Sequence, residues 1–292
     1  MIRSTPGENL IERLLAEQAF SSAAVSGAAP ALTAIEDWLA DCAGPRIVGI
    51  CGPQGSGKST VSGLLAQALE RGRGLRVATI SIDDVYRSRA ARERMARDVH
   101  PLFRTRGVPG THDVTLAIET LESLRMAGPT RLPRFDKASD DVVPTADWPV
   151  MYGPADLILF EGWCVGARPQ AEIDLPEPLN SLERVEDPDA RWRRAVNFAL
   201  TGPYQELFGR IGRLLLLAAP SFDRVFAWRR EQEQRLRQSQ PDGPAIMDDA
   251  ALHRFIMHFE RLTRHIIAEM PARADALLPL GPNREYGALH LQ

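Results

Sequence analysis

Apolar residues along this chain follow two periods in turn, which predicts alternating strands and helices. Short apolar runs predict five buried strands, at residues 47–51, 75–82, 157–160, 214–218 and 276–280. Apolar positions at helical spacing predict the intervening helices, at residues 59–71, 114–127, 190–200, 223–239 and 248–270. Alternation of this kind indicates the α/β class, with a doubly wound, mostly parallel sheet flanked by helices.

Two segments fall outside this alternation. Residues 1–44 predict an N-terminal helical extension with helices at 6–20 and 31–42, joined by an Ala/Gly/Ser-rich segment at 21–30 that we expect to be a flexible linker. Residues 137–154 are rich in Asp, Pro and Val without a clear period, which predicts a loop. We therefore expect the extension to precede one α/β domain that covers residues 45–292.

Composition limits the classes of function. With a net charge of −3 and a pI near 6.1, the chain is not expected to bind nucleic acid as a whole. Cys42, Cys51 and Cys164 lack metal or redox spacing, which favours reduced thiols in the cytoplasm. Acidic residues interrupt any apolar start, and the longest apolar run, 214–220, is too short to span a bilayer. We expect a cytoplasmic protein without a membrane or nucleic-acid partner.

Residues 52–59, GPQGSGKS, match the phosphate-binding pattern GxxxxGK[ST] and lie between a predicted strand and a predicted helix. Glycines let backbone N–H groups turn toward a polyphosphate, and the helix adds its positive N-terminal end. Lys58 is expected to reach the β- and γ-phosphates, and the Ser59 hydroxyl to bind Mg²⁺. The pattern predicts a site for a nucleoside triphosphate, ATP with Mg²⁺.

Lysine is rare in this chain. Of its 35 basic residues, only Lys58 and Lys137 are lysine. A compact ammonium suits places where a planar guanidinium would fit poorly, which favours a functional role for Lys137. The alternative is that coding bias produced the arginines and Lys137 is an ordinary surface residue.

Acidic residues follow two of the predicted strands. Asp83 and Asp84 come after the second strand, where one carboxylate could accept a proton from a hydroxyl and its neighbour could hold Mg²⁺ or water. Either could instead cap a helix. Glu161 follows four apolar residues of the third strand, as expected for an acid that organises Mg²⁺, although a solvent-facing Glu is the alternative.

Arginines cluster in two places. The segment 87–106 contains seven of them, which we interpret as a solvated helix face, with an anion-attracting rim as the alternative. Arg229 and Arg230 lie in the helix after the fourth strand, where they could fold over a nucleotide as a lid and neutralise the transferred group.

Taken together, the motifs resemble those of the P-loop D-glycerate 3-kinases, which are relatives of uridine kinase, phosphoribulokinase and pantothenate kinase. The resemblance covers about residues 46–275. It rests on GPQGSGKST (52–60), SIDDVY (81–86), RGVPGTHD (106–113), FDKA (135–138), FEGWCVG (160–166) and WRREQE (228–233).

The resemblance implies a role for particular residues. Lys58, Asp83, Glu161 and Arg229 are the expected catalytic residues, with Asp83 as the base. Nucleotide binding is expected from Gly52, Gln54, Gly55, Ser56, Gly57, Lys58, Ser59, Thr60 and Arg229, and Mg²⁺ binding from Ser59, Asp83 and Glu161. Binding of the acceptor is expected from Asp84, Tyr86, Arg106, His112, Asp113 and Lys137. A lone His before a helix is as often a capping or core residue as a binding residue.

The sequence therefore predicts an ATP-dependent kinase that phosphorylates a hydroxyl of a small hydroxy acid, D-glycerate. Residues 138–144, ASDDVVP, depart from the Gly/Arg-rich stretch that often follows FDK in the family, which weakens the assignment of the acceptor. Pantothenate, a nucleoside or another sugar acid stays open as the acceptor. A nucleotide-driven switch or chaperone is the alternative from another class.

Overall fold

A computed structural model describes residues 10–18, 22–41, 46–239 and 247–292 of the 292-residue chain. The α-helices are α1 (Leu10–Glu17), α2 (Ser22–Ala40), α3 (Lys58–Arg73), α4 (Arg89–Asp98), α5 (Val114–Leu124), α6 (Ser181–Glu186), α7 (Arg191–Thr201), α8 (Pro203–Phe208), α9 (Phe222–Ser239) and α10 (Asp249–Glu269). The strands are β1 (Arg46–Cys51), β2 (Val77–Ser81), β3 (Gly128–Arg131), β4 (Phe135–Asp136), β5 (Asp141–Val142), β6 (Val150–Gly153), β7 (Leu157–Gly162), β8 (Arg213–Ala218), β9 (Ala276–Pro279) and β10 (His290–Leu291).

Six strands form the central sheet, in the order β2-β7-β1-β8-β9-β10. All neighbours are parallel except β10, which runs antiparallel to β9. The chain leaves β1 for strands on one side of it and later returns to β8 on the other side. The carboxyl end of β1 is therefore a topological switch point, where sheets of this kind bind ligands.

Buried side chains alternate between the two faces of the sheet. Val48 and Ile50 belong to the cluster that includes α3, whereas Ile47 and Cys51 belong to the cluster that includes α5 and α8. This alternation with period two lets each strand pack helices on both faces. The predicted α/β fold is confirmed, and all five predicted strands are found with boundaries shifted by no more than a few residues.

The prediction for the linker in the N-terminal extension is wrong. Helix α2 runs without a break from Ser22 to Ala40 and includes Pro30, where residues 21–30 were expected to be flexible. Alanine is the best helix former, and Ala28 and Ala29 are buried against the core, so the small residues here are helical. Helix α1 falls within the helix predicted at 6–20, whose ends lie outside the described residues.

Helices α1 and α2 pack onto α3 and share its apolar cluster, to which they contribute Ile11, Leu14, Leu15, Leu32, Ile35 and Leu39. Ion pairs join the same surfaces, because Arg71 contacts Glu17 and Arg73 contacts both Glu36 and Asp37. The extension thus completes the core on one face of the sheet.

The segment predicted as one loop, residues 137–154, contains strands. Strand β6 pairs antiparallel with β3, and β5 pairs antiparallel with β4. Each of these strands has only two to four residues. Strands this short and this exposed carry too few apolar positions to show a period, which is why the pattern did not reveal them.

Two of the three cysteines lie within the described residues. Cys51 and Cys164 are free and buried, and burial raises the pKa of the Cys51 thiol to about 12, so it is a protonated core residue at neutral pH. Cys42 lies outside the described residues. Across the described ranges, no helix combines the length and apolar character needed to cross a membrane.

We predict that the extension unfolds together with the rest of the domain. Ile35 is 0% exposed within the shared cluster, so Ile35→Ala should reduce the free energy of unfolding by about 2–5 kcal/mol, as for other large-to-small core substitutions. Urea denaturation followed by circular dichroism measures the change. The exposed neighbour Ala34 provides the control, since Ala34→Ser should change stability by less than about 0.5 kcal/mol. An unchanged main transition for Ile35→Ala would contradict the shared core.

Candidate active site

The loop between β1 and α3 has the geometry of an anion cradle. Gly55 and Gly57 adopt positive φ values of 77° and 85°. Gly57 occupies the N-cap position of α3, with no side-chain cap. The Ser56 hydroxyl is buried and lacks a hydrogen-bond partner among the described residues. An uncapped helix start with inward-turned backbone is a site where phosphate oxygens bind.

The same loop lies against the helix that was predicted to form the lid. A Cβ atom on Gly55 would come within 2.8 Å of the Cβ atom of Trp228 in α9. Only glycine permits this approach. It places Arg229, the residue after Trp228, beside the loop.

Glu161 lies at the carboxyl end of β7, level with Ile50 of β1 and Ser81 of β2. Its side chain is buried at 4% exposure, which excludes the solvent-facing alternative. The Ser59 hydroxyl donates to Oε1 of Glu161 at 2.9 Å, while Oε2 is buried and has no hydrogen-bond partner among the described residues. An orphaned carboxylate oxygen beside a phosphate loop is chemically suited to a hard cation such as Mg²⁺.

Asp83 follows β2 in a short 3₁₀ turn (residues 82–85), and its backbone amide donates to the hydroxyl of Ser81, the N-cap, at 3.2 Å. Lys137 Nζ donates to Oδ2 of Asp83 at 2.6 Å, and the Tyr86 hydroxyl donates to Oδ1 at 2.6 Å. Burial would raise the pKa of Asp83, but the charges of Lys137 and Lys58 and the two hydrogen bonds outweigh burial and hold that pKa well below its ordinary value. Asp83 is therefore an ionised carboxylate at the wall of the cleft.

Asp84 points elsewhere. Its carboxylate pairs with Arg134 Nη1 at 3.2 Å, and burial is the main reason that its pKa is raised. This contact ties the 3₁₀ turn to the start of β4. The structure thus separates two adjacent acids, with Asp83 facing the cleft and Asp84 anchoring a neighbouring segment; the N-cap of the turn is Ser81.

Tyr86 is supported from behind by two buried aromatic side chains. Its ring stacks on His112 with centroids 4.7 Å apart, and His112 Nδ1 shares a 2.6 Å hydrogen bond with the Tyr204 hydroxyl. The Gly110 amide also donates to Tyr204, at 2.9 Å. Burial lowers the pKa of His112 to about 4, so this histidine is neutral at physiological pH.

Three residues expected at the acceptor site do not line the cleft: Asp84, His112 and Asp113. Asp113 is the N-cap of α5, where its side chain accepts a hydrogen bond from the Leu116 amide. His112 is in the core behind Tyr86. His112 therefore supports Tyr86 of the cleft wall, whereas Asp84 and Asp113 anchor neighbouring segments, and a direct contact of these three residues with an acceptor stays a prediction.

Arg106 lines the cleft and is held by the segment that departs from the family pattern. It pairs with Asp140, whose carboxylate also pairs with Arg92 Nη2 at 3.0 Å. Arg92 is only 1% exposed and donates to three backbone carbonyls. The interpretation of residues 87–106 as a solvated face is correct for the five exposed arginines and wrong for Arg92 and Arg106.

Arg229 also lines the cleft, from α9. Its guanidinium pairs with the buried Glu233 at 3.0 Å and lies over the Phe255 ring. Burial is the largest effect on Arg229 and lowers its pKa from the ordinary value. Arg230 is exposed and does not line the cleft.

A cleft of 320 Å³ lies at the carboxyl ends of β1, β2 and β7. Its wall is formed by Gln54, Gly55, Gly57, Lys58, Ser59, Thr60, Ser81, Asp83, Tyr86, Arg106, Lys137, Trp163, Arg229, Gln232, Phe255 and Phe259. The arrangement places an ionised carboxylate and several cations beside a phosphate loop, which suits transfer of a phosphoryl group to a small acceptor.

Comparison with known proteins identifies the family of the chain. The sequence profile of the phosphoribulokinase/uridine kinase family matches residues 47–167. The kinase mug58 of Schizosaccharomyces pombe, named as uncharacterized, is 31% identical over 230 residues, which cover 74% of this chain and 78% of that protein. The chain belongs to the phosphoribulokinase/uridine kinase family. The family predicted from the motifs is confirmed, and the protein is a P-loop kinase.

One further relative and one solved structure are similar to this P-loop kinase. The chloroplastic D-glycerate 3-kinase of Arabidopsis thaliana is 30% identical over 225 residues, which cover 74% of this chain but only 46% of that protein. The structure of D-glycerate 3-kinase from Cryptococcus neoformans superposes with a TM-score of 0.73, covering 94% of this chain and all of that chain at 23% identity. That second likeness establishes a shared fold.

Sequence reasoning missed several aromatic residues of the kinase's cleft. Phe255 and Phe259 come from α10, and Trp163 directly follows the end of β7. Trp163 packs edge-on against Phe259 and donates from its indole N–H to the Gly107 carbonyl at 2.8 Å. In the sequence, Phe255 and Phe259 look like ordinary core positions of an amphipathic helix, so the pattern carried no signal for their place in the site.

We predict that His112 makes the stability of the kinase dependent on pH. Its pKa is about 4 when folded and near 6.5 when unfolded, so the unfolded chain binds more protons between these values. Stability should therefore fall as the pH drops from about 6.5 toward about 4, by at most about 1.4 kcal/mol per pH unit for this group. His258, whose pKa is also lowered to about 4 by burial, adds a similar effect.

His112→Asn should flatten part of this dependence, because Asn can accept from Tyr204 but does not titrate. Urea denaturation of both proteins across the pH range measures the difference. The same slope in wild type and variant would contradict a buried, neutral His112.

Proposed function

We propose that this P-loop kinase transfers the γ-phosphoryl group of ATP to a hydroxyl of D-glycerate, giving 3-phosphoglycerate. The observation that carries the proposal is the Lys137–Asp83–Tyr86 cluster beside the phosphate loop, with Arg106 in the same wall. The cluster offers a carboxylate for a hydroxyl and two cations for a small anion. The similarity to the Arabidopsis D-glycerate 3-kinase supports the same acceptor.

The phosphates are assigned to the loop and two cations. Backbone N–H groups at the start of α3 and the Lys58 ammonium would bind the β- and γ-phosphates. Arg229, half-buried between Glu233 and Phe255, would neutralise charge on the transferred group from the α9 side. Glu233 keeps the guanidinium in place before a nucleotide binds.

Mg²⁺ fits the oxygen atoms beside the loop. Glu161 Oε2 and the Ser59 hydroxyl would hold the ion, and Asp83 stands at the same cleft. Within the described ranges, no three His, Cys, Asp or Glu side chains form a metal site by themselves, so phosphate oxygens would complete the coordination. When bound, the ion would neutralise charge on the phosphates.

Asp83 would accept the hydrogen bond, and then the proton, of the attacking hydroxyl. With Lys137 attached, its low pKa makes it a weak base, because the best base has a pKa near the working pH. The carboxylate of a bound acceptor would compete for Lys137 and let the pKa of Asp83 rise. Arrival of the correct acceptor would thereby activate the base.

The assignment of the acceptor is tested by measuring ATP consumption with a panel of small hydroxy acids, nucleosides and pantothenate. D-Glycerate should give the highest kcat/KM. If another compound is phosphorylated and glycerate is not, the family assignment stands and the acceptor is wrong. ATP hydrolysis that no compound stimulates would instead favour a nucleotide switch.

The two adjacent aspartates should differ in effect. Asp83→Asn should lower kcat by about 10²- to 10⁴-fold, the range for loss of a positioned base, with the KM for ATP nearly unchanged. Asp84→Asn is the matched control, since its carboxylate contacts Arg134 outside the cleft. It should reduce kcat much less. A larger loss for Asp84→Asn would reverse the assignment.

Lys137 should determine the affinity for the acceptor's carboxylate. Lys137→Ala should raise the KM for D-glycerate by roughly 10- to 150-fold, as expected for loss of one charge-assisted hydrogen bond of about 1.5–3 kcal/mol. The KM for ATP should change far less. Glycerol, which keeps the hydroxyls but lacks the carboxylate, should be a very poor acceptor for the wild type. Equal use of glycerol and glycerate would contradict the carboxylate contact.

A further inference from the structure

A second cavity, of 640 Å³, lies next to the phosphate loop and is larger than the catalytic cleft. It shares Gly55, Gly57, Thr60 and Gln232 with that cleft. The two cavities therefore meet at the loop, one on the side of Asp83 and Lys137 and the other on the side of the N-terminal helices. A volume of this size is within the range of cavities that hold small organic ligands.

Three separate parts of the chain surround this second cavity besides the loop. Helix α2 contributes Ala24, Gly27 and Ala28, helix α9 contributes Trp228, Glu231 and Gln232, and the segment after β9 contributes residues 283–286. The family profile matches residues 47–167, so all three parts lie outside the matched region.

The segment after β9 is fixed in place by contacts on both sides. The indole N–H of Trp228 donates to the Pro282 carbonyl at 2.8 Å, and Arg284 pairs with Glu231 of α9. The side chains of Asn283 and Glu285 are joined by a 2.7 Å hydrogen bond. The cavity is thus preformed, with amide and carboxylate groups on one wall.

Helix α2 presents small apolar groups to the same cavity. Ala24 and Gly27 are exposed to the cavity, and Ala28 is buried beneath them. Side chains this small leave a shallow apolar surface, and the partly buried Tyr286 adds an aromatic ring. An apolar face combined with a few hydrogen-bonding groups at the edge suits a flat heterocycle.

The phosphate loop determines which ligand this cavity can take. A triphosphate bound to the loop would have its terminal phosphate beside Lys58. Lys58 and Asp83 both line the catalytic cleft, so that phosphate would lie on the side of this cleft. The rest of the molecule must leave the loop on another side. The second cavity begins at Gly55, Gly57 and Thr60, where the remainder of the ligand would emerge.

We propose that helix α2 of the N-terminal extension forms one wall of the binding site for the ribose and base of the nucleoside triphosphate. The extension then has a function in nucleotide binding besides completing the core. The proposal rests on the proposed function only in requiring that the phosphate loop bind a nucleoside triphosphate; it does not depend on the acceptor.

Gly27 offers a direct test. A Cβ atom added there would meet no atom within 4 Å, so a larger side chain can extend into the cavity without displacing its neighbours. Replacing glycine within a helix also favours the helix. Gly27→Phe should therefore fold and fill the space next to α2.

The experiment compares binding of MgATP and of inorganic triphosphate with Mg²⁺ by calorimetric titration of the full chain. Gly27→Phe should raise the Kd for ATP by about tenfold or more. In an apolar pocket, a mismatch of a single methylene group already changes the preference between two ligands by about that factor. The Kd for inorganic triphosphate, which lacks ribose and base, should stay within about twofold of the wild type. The shorter Gly27→Leu should change the ATP value in the same direction by less.

Ala34→Phe is the matched control, because Ala34 is an exposed residue of the same helix that does not line the cavity. It should leave both dissociation constants unchanged. Unchanged ATP binding in both Gly27 variants would overturn the proposal, as would equal weakening of ATP and triphosphate. If the wild type binds triphosphate as tightly as ATP, the proposed subsite fails while the phosphate loop stands. If it binds neither, the proposed function fails as well.

Discussion

The alignment of three parallel strands is the constraint on which the site depends. Strands β1, β7 and β2 pair so that Ile50, Glu161 and Ser81 lie at one level across the sheet. Two residues after this level, the chain enters the phosphate loop at Gly52 after β1 and reaches Asp83 after β2. Side chains alternate between the two faces of a strand. A shift of one residue in β7 would therefore turn Glu161 toward the opposite face of the sheet, which packs against α5 and α8, and would place Phe160 beside Ser59.

The charged side chains around this level are paired with one another in the absence of a ligand. Asp83 keeps a proton-free carboxylate because Lys137, Lys58 and Tyr86 offset its burial. Arg106 and Arg229 are each held by an acid, Asp140 and Glu233, before any ligand arrives. A cation that is already positioned loses less conformational freedom on binding than a free surface side chain, so such pairs favour rapid and selective capture of phosphates and carboxylates.

The sequence predicted those parts of the molecule whose patterns are local. Strands with continuous apolar runs, the phosphate loop and the acid at the end of β7 each carry their signal within ten residues. The pairing of β3 with β6 and the position of His112 beside Tyr204 could not be found this way, since their partners are distant in sequence. Strands β4 and β5 pair locally but are too short to show a period. Asp83 and Asp84 are identical in type and adjacent in sequence, and only the positions of Lys137 and Arg134 distinguish them. The linker prediction failed because Ala, Gly and Ser suit both a flexible chain and a closely packed helix.

Different parts of the chain carry the general and the ligand-specific groups of the site. The regular strands, the turns that follow them and α3 carry the residues to which we assign the general requirements of phosphoryl transfer, namely a phosphate cradle, an acid for a metal ion and a base. The groups that would distinguish one ligand from another come from irregular or added segments. Lys137 and Asp140 lie between β4 and β5, and the small residues of α2 line the second cavity. Short hairpins and a terminal helix can change without altering the register of the sheet, because they contact its edges and faces. Relatives that share the phosphate loop can therefore differ in acceptor while they keep the same catalytic geometry.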